Sequence, residues 1–239
     1  MDTVPFLFCD AVAGTIAEIR RVWGAEHSRF YKWKTAFKDH SKKRQSFCLE
    51  IGFDQGQWSY QLDKWNNDKD RLEFFNFTYL KEVKRRYLQI NEIVFNFDGL
   101  ERYSSNCQEI EEIVRIVASF MNFANFVTYN YKSNESDISR MLNHLRSASL
   151  QKITIFTYRP CLEDFLKRQV RSDCLKELSV WEDGWSHEFL AEIQEFLLMK
   201  PFQRVDCRNE SSLAIELNRS KKKTILFKGF FSFRCKRLK

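Results

Sequence analysis

The sequence predicts an α/β fold in which strands and helices alternate as a repeat, preceded by a helical segment and a β-hairpin. Three observations carry this reading. Apolar residues recur at helical spacing over residues 4–45 and then alternate strictly between residues 47 and 62. From residue 90 a six-residue apolar pattern returns, with a helical stripe between successive copies.

The elements follow in order. Phe8, Val12, Ile16 and Ile19 share one helical face, as do Phe30, Trp33 and Phe37; Gly24 punctuates between them and Ser28 is placed as an N-cap. The period then changes to two. Phe47, Leu49, Ile51 and Phe53 alternate, as do Trp58, Tyr60 and Leu62, and the intervening Asp54-Gln55-Gly56-Gln57 reads as a hairpin turn with glycine in a left-handed position. Residues 66–71 read as a polar loop and 78–87 as a short helix.

The repeat begins with Ile90, Ile93 and Phe95 in the pattern apolar-x-x-apolar-x-apolar. It returns at Phe123, Leu150, Leu175 and Phe202, spacings of 33, 27, 25 and 27 residues, and only Thr128 breaks the apolar rule. Four helical stripes separate the copies. Ile110, Ile113, Val114 and Val117 form the first, entered by a capping box from Ser105 to Gln108. Ile138, Met141, Leu142 and Leu145 form the second, entered through Asn134. Leu162, Phe165, Leu166 and Val170 form the third, just past Pro160. Phe189, Ile193, Phe196 and Leu197 form the fourth, with Asp183-Gly184-Trp185-Ser186 as a turn ending in the N-cap.

A strand and a helix at this period resemble an irregular leucine-rich-repeat solenoid, in which no unit can bury its own apolar face without neighbours. The usual asparagine after the strand is lacking, Asn130 and Asn209 being out of register. The alternative is a doubly wound α/β sheet, which differs in strand order. The chain divides into a helical segment (1–45), a β-hairpin with its connecting helix (46–89), and a strand–helix repeat domain with a basic C-terminal tail (90–239).

Composition excludes several function classes. The 239 residues include only 7 Gly and 3 Pro, which leaves no collagen-like or flexible low-complexity segment. The net charge of +7 admits nucleic acid, an acidic protein or an anionic surface as partner, yet most cations are interleaved with carboxylates. Only the tail is polarised, with Lys221–Lys223 and then Arg234, Lys236, Arg237 and Lys239. The 7 cysteines are odd in number, widely spaced and without a Cys-x-x-Cys pair, as expected of free thiols in a reducing compartment, cytoplasmic or nuclear. No signal peptide or membrane span is expected, so the Asn-x-Ser/Thr triplets at Asn76, Asn134, Asn209 and Asn218 are read as chance.

No catalytic constellation is found. His27, His40, His144 and His187 have no partner at metal-ligand spacing; His187-Glu188 opens like a zincin helix, but residue 191 is alanine. Phosphate loops and nucleophile elbows are absent. Glu109, Glu111 and Glu112 lie near a helix start, where carboxylates are favoured by the macrodipole. The expectation is a non-enzymatic protein with no metal and no cofactor.

Several stretches resemble a nematode-expanded family of uncharacterised proteins related to F-box and F-box-associated proteins. They include MDTVPFLFCDAVAGTIAEI, HSRFYKWKTAFKDH, SFCLEIGFDQGQWSYQL, TYRPCLEDFLKRQVRSDCLK and GWSHEFLAEIQEFLLMKPFQRV. Members of the family continue beyond a segment similar to Phe231-Ser232-Phe233, so a shortened C-terminus is expected here. The resemblance implies a substrate receptor in ubiquitin ligation that holds a Skp1-type adaptor through Pro5, Phe8, Val12, Ile16 and Trp33. The spacing is looser than in an F-box and the central leucines are missing.

Strand alternation names the other surface. The third and fifth positions of each copy, and the residue just after it, share the open side of the sheet. The last of these are Asn96, Tyr129, Phe156, Trp181 and Arg208, of which Tyr129, Phe156, Trp181 and Arg208 are the expected protein-binding residues. A nucleic-acid-binding role for the basic tail and exposed aromatics is the alternative. Elemental analysis of the purified protein should find no stoichiometric zinc; zinc at one equivalent would overturn the reading of the cysteines and histidines.

Overall fold

The structure, a computed structural model, describes residues 6–15, 31–54, 56–64, 74–95, 103–129, 135–181, 184–199, 204–207 and 233–234. Alternation makes the hairpin: β1 (Gln45–Asp54) and β2 (Gln57–Lys64) pair antiparallel, with Phe47, Leu49 and Ile51 on the same buried face as Trp58, Tyr60 and Leu62. Gly56 closes the turn at a φ of 84°, which a residue with a Cβ adopts only with strain.

The remaining strands join the same mixed sheet. They are β3 (Phe74–Phe75), β4 (Leu88–Phe95), β5 (Tyr103–Ser105), β6 (Asn122–Thr128), β7 (Ser149–Ile155), β8 (Glu177–Val180), β9 (Arg204–Cys207) and β10 (Phe233–Arg234). The order is β10-β9-β8-β7-β6-β4-β1-β2-β3, with β5 against β2. From β1 through β4, β6, β7 and β8 to β9 every pairing is parallel and follows chain order. The reversal that defines a doubly wound sheet does not occur among the described strands. The fold is therefore α/β, and the short strand β5 is an addition that the sequence reading missed.

The helices α1 (Phe6–Thr15), α2 (Tyr31–Lys43), α3 (Tyr79–Glu82), α4 (Cys107–Ala118), α5 (Glu135–His144), α6 (Pro160–Arg171) and α7 (His187–Met199) are accompanied by a 3-10 turn at Leu145–Ser147, which carries the last residue of the expected second stripe. The expected helix over 78–87 is α3 plus a separate 3-10 turn at Arg85–Tyr87. The described stripe residues of α4 to α7, Phe196 only in part, bury against the sheet face that carries Ile93, Phe95, Phe126, Ile153, Ile155 and Leu178, making one continuous core; the Leu197 side chain lies outside the described residues. At about 25 cal/mol per Å² of apolar surface this burial is the main stabilising term.

The pattern apolar-x-x-apolar puts its first and fourth residues on opposite faces of a regular strand, so both can be buried only if the ladder slips. It does slip. Between β1 and β4 the register passes from Phe47↔Ile90 to Cys48↔Glu92, leaving Asn91 over. Between β6 and β7 it passes from Ala124↔Leu150 to Asn125↔Lys152, leaving Gln151 over. This corrects one assignment: Ala124, fully buried, and not Phe123, stands in register with Leu150.

Helix starts are held by side chains. The capping box lies one residue later than expected, since Asn106 Oδ1 accepts from Glu109 N at 2.9 Å while Ser105 Oγ donates to Glu109 Oε2 at 2.6 Å. Asn134 lies outside the described residues. Pro160 is the first residue of α6, and Ser186 Oγ accepts from Phe189 N at 3.1 Å as the expected cap of α7. Gly184 before that cap has a φ of 108°, and a Cβ there would stand 2.8 Å from Tyr158 Cδ1.

Helices α1 and α2 form a second, smaller core of Cys9, Ala13, Ala36 and Phe37. The buried side of α1 is thus Cys9 and Ala13, one position round from the expected Phe8–Val12 stripe. Ile16, Gly24 and Ser28 lie outside the described residues. Arg44 Nη2 donates to the Ala13 carbonyl at 2.6 Å, and Arg86 pairs with Asp39 at 2.8 Å, tying this hairpin to the start of β1 and the turn before β4.

His40 sits in that joint, 1% exposed, with Nε2 3.1 Å from Asp10 and the Tyr87 ring at 5.2 Å. Burial lowers its pKa; the Asp10 carboxylate opposes this, and the Arg44 and Arg86 cations add to it. Asp39, bound by Lys43 and Tyr87, is held down to about 2 and does not titrate near neutrality. Below the unfolded value of 6.5 the unfolded chain binds more protons at this histidine than the folded one, so stability is lost as pH falls through 6.5 towards the lower folded value. Protection factors for amide hydrogen exchange in α1 and α2, corrected for the intrinsic rate, should fall as pH drops below about 6.5, and His40→Gln should remove that dependence. An unchanged pH profile in the variant would show that another group is responsible.

Candidate protein-interaction surface

The sheet face opposite the helices is the first candidate. Register places Asp63, Cys48, Glu92, Asn125, Lys152 and Glu177 in one row across it, and Gln61, Glu50, Val94, Val127, Thr154 and Ser179 in the next. The contacts agree with that placement: Lys152 Nζ lies 3.9 Å from Glu177 Oε2, and Cys48 Sγ donates to Glu92 Oε2 at 3.8 Å.

One step further along the strands stand Tyr129, Phe156 and Trp181. Each continues the ladder by its backbone, Tyr129 N to the Phe95 carbonyl, Phe156 N to Thr128 and Trp181 N to Ile155, at 2.8 to 3.0 Å. Successive strands in register therefore bring the rings side by side. Tyr129 and Phe156 stack with centroids 4.8 Å apart and planes 7° from parallel, and Phe156 meets Trp181 at 5.0 Å and 40°. None of the three belongs to the main core or is among the residues packed on it, and Tyr129 is 41% exposed. Arg208 and Asn96, expected to extend the row, lie outside the described residues.

The second candidate is the N-terminal helical hairpin. Phe8 is 55% exposed and meets Trp33 edge-on at 6.0 Å, and Trp33 stacks on Phe37 at 5.9 Å. Val12 is part-buried beside them, while Pro5 and Ile16 lie outside the described residues. The sequence reading missed the neighbours that enlarge this patch. Phe6, Leu7 at 79% exposure and Tyr31 at 79% add apolar surface that no described element covers. Their signal was available: all three fall off the stripes that the helical period assigns to the core.

The groups with reactive chemistry are occupied in structure. Glu109 serves the cap of α4, Glu112 pairs with Arg115 at 2.6 Å, and Glu111 meets His144 at 3.1 Å and Arg140 at 3.8 Å. Burial pushes the Cys48 thiol well up and the Cys161 thiol to about 11, which keeps both protonated and poorly nucleophilic near neutrality. Among the described residues there is no cluster of three metal-ligating side chains and no helix long and apolar enough to cross a membrane.

Beyond the C-terminal ends of the strands, the helix starts are joined by side chains. Glu135 Oε1 of α5 accepts from Cys161 N of α6 at 3.1 Å, and Glu163 of α6 accepts from both Ser186 N and Ser186 Oγ at 2.8 Å. Each first-turn carboxylate thus serves the start of the next helix, where the macrodipole favours it. The aromatic row stands on the same edge of the sheet, where the backbone of each ring residue is bonded to the neighbouring strand. Compared with protein-family models, with curated proteins and with solved structures, the chain matches none.

Proposed function

We propose that the chain is a non-enzymatic protein-interaction module, built as an irregular leucine-rich-repeat-like solenoid, that receives a substrate for ubiquitin ligation on its open strand face and a Skp1-type adaptor on its N-terminal hairpin. The observation that carries this is the row Tyr129–Phe156–Trp181, stacked in register outside the core. Parallel strands advancing in chain order support the solenoid, since such an array keeps its helices on one side of the sheet; on the other side Gln61, Val127, Thr154 and Ser179 are buried and Tyr129 is exposed.

Aromatic rings held rigidly in a row offer area at low entropic cost, and aromatics are enriched among the residues that anchor interfaces. The same rings could stack nucleic-acid bases. Charge decides between the two. The register rows beside the aromatics carry Asp63, Glu50, Glu92, Glu177 and Asp206 against Lys152, Arg204 and Arg234, and this acidic excess does nothing to attract phosphate. A protein segment with apolar or guanidinium side chains suits it, because guanidinium stacks on aromatic faces and pairs with carboxylates.

Tyr129→Ala, Phe156→Ala and Trp181→Ala should each cost no more than about 1.5 kcal/mol of stability, the scale of an aromatic pair contact. Phe165→Ala in the core should cost about 3–5 kcal/mol. The three variants should weaken capture of the partner that the unaltered chain retains. Core-sized losses of stability in all three would reject the binding face, and loss of single-stranded RNA binding in Trp181→Ala would favour the nucleic-acid role instead.

The adaptor reading predicts that the chain co-purifies with a Skp1-type adaptor. Deleting residues 1–45, or placing charge at Leu7 and Phe8, should abolish this. Both side chains are exposed, so Leu7→Asp with Phe8→Asp should leave the melting temperature within a few degrees. Absence of co-purification with the unaltered chain would end the adaptor assignment.

A further inference from the structure

A cleft of about 680 Å³ opens where the C-terminus of α2, the start of β1, the end of β2 and the turn before β4 converge. Its lining holds five cations, Lys42, Lys43, Arg44, Lys64 and Lys84, and one carboxylate, Glu82. Outside the C-terminal tail cations are interleaved with acids; here three separate stretches of sequence deliver like charge to one concavity. The volume is that of a small-ligand site.

The cations differ in how they are occupied. Lys43 Nζ is bound to Asp39 at 2.6 Å and lies over the Tyr87 ring. Arg44 donates to the Ala13 carbonyl. Lys42, in the last turn of α2, is offset in part by the negative end of the helix dipole. Lys64, at the end of β2, and Lys84, in the turn before β4, have no carboxylate within ion-pair distance among the described residues. Tyr79 Oη donates to Gln45 Oε1 at 3.2 Å, which fixes the side-chain carbonyl of Gln45 and leaves its NH₂ group as a further donor in the lining.

Like charges in a concave site focus a positive potential. One monovalent anion would leave most of it uncompensated. Five cations in the lining argue against an apolar guest, and Glu82 is the single carboxylate among them. We propose that this cleft binds a compact polyphosphate, an anion with at least two adjacent phosphate groups, with Lys64 and Lys84 as its principal ligands and Lys42 and Gln45 completing the donor set. The site is separate from the aromatic row and does not depend on the interaction role proposed for it.

Inorganic tripolyphosphate, titrated into the full chain, should raise the melting temperature and bind by calorimetry with an affinity that falls steeply with salt. Inorganic phosphate at the same concentration should bind at least about tenfold more weakly, having lost charge-assisted hydrogen bonds. Lys64→Ala and Lys84→Ala should each weaken tripolyphosphate about tenfold, and without ligand should leave the melting temperature unchanged or raise it, since each removes a repelled charge. ATP as a second probe separates sources: binding equal to tripolyphosphate points to a nucleotide, and much weaker binding to a free polyphosphate. Alanine at Lys221–Lys223 should have no effect. No melting shift with tripolyphosphate, or binding lost through the tail lysines and kept in both cleft variants, would overturn the assignment.

Discussion

Everything in this chain depends on the one-sided burial of its parallel strands. A strand–helix unit has an apolar stripe on the helix and an apolar face on the strand, and alone it buries neither fully. Laid beside its neighbour in chain order, it does both: Phe126 meets Phe165 at 5.1 Å and Phe95 at 5.7 Å, joining three units in one contact group. Because all of α4 to α7 bury against that one face, the other strand face is left for polar and aromatic residues.

The ladder slips at Asn91 and Gln151 make this burial more complete than alternation alone allows. Each lets an additional apolar residue, Ile90 or Leu150, reach the core. Between helices the polar contacts are equally systematic. Glu192 receives Arg171 at 2.6 Å and Lys167 at 3.4 Å, and Gln169 Nε2 donates to the Leu145 carbonyl at 3.3 Å. Exposed ion pairs contribute little each, so their part is to set the spacing of helices that the core already holds together.

Three surfaces result, each with its own chemistry. The aromatic row is held together because the backbone N–H of each residue continues the ladder and the rings stack on one another. The N-terminal hairpin rests on a small core of its own and shows apolar side chains outward. The cationic cleft exists only because the hairpin is tied down by Arg44 and Arg86 next to the ends of β1 and β2.

Periodicity by itself determined much of this protein. The shift from helical spacing to strict alternation located β1 and β2, Gly56 marked their turn, and the recurring pattern from residue 90 located the later strands, with Pro160 and Ser186 opening α6 and α7. It also placed Tyr129, Phe156 and Trp181 on one face, because the residue after each motif has the parity of its third and fifth positions. Tertiary structure decided the rest. Strand order is a property of pairing between distant segments, so nothing local separated the one-directional sheet from a doubly wound one. The stripe on α1 was misread by one position, since a short helix with apolar residues all round has no period to follow and only α2 chooses Cys9 and Ala13. Likewise, Lys64 and Lys84 are 20 residues apart in unremarkable contexts, and only the folding of β2 and the turn before β4 around the end of α2 brings their charges to one cleft.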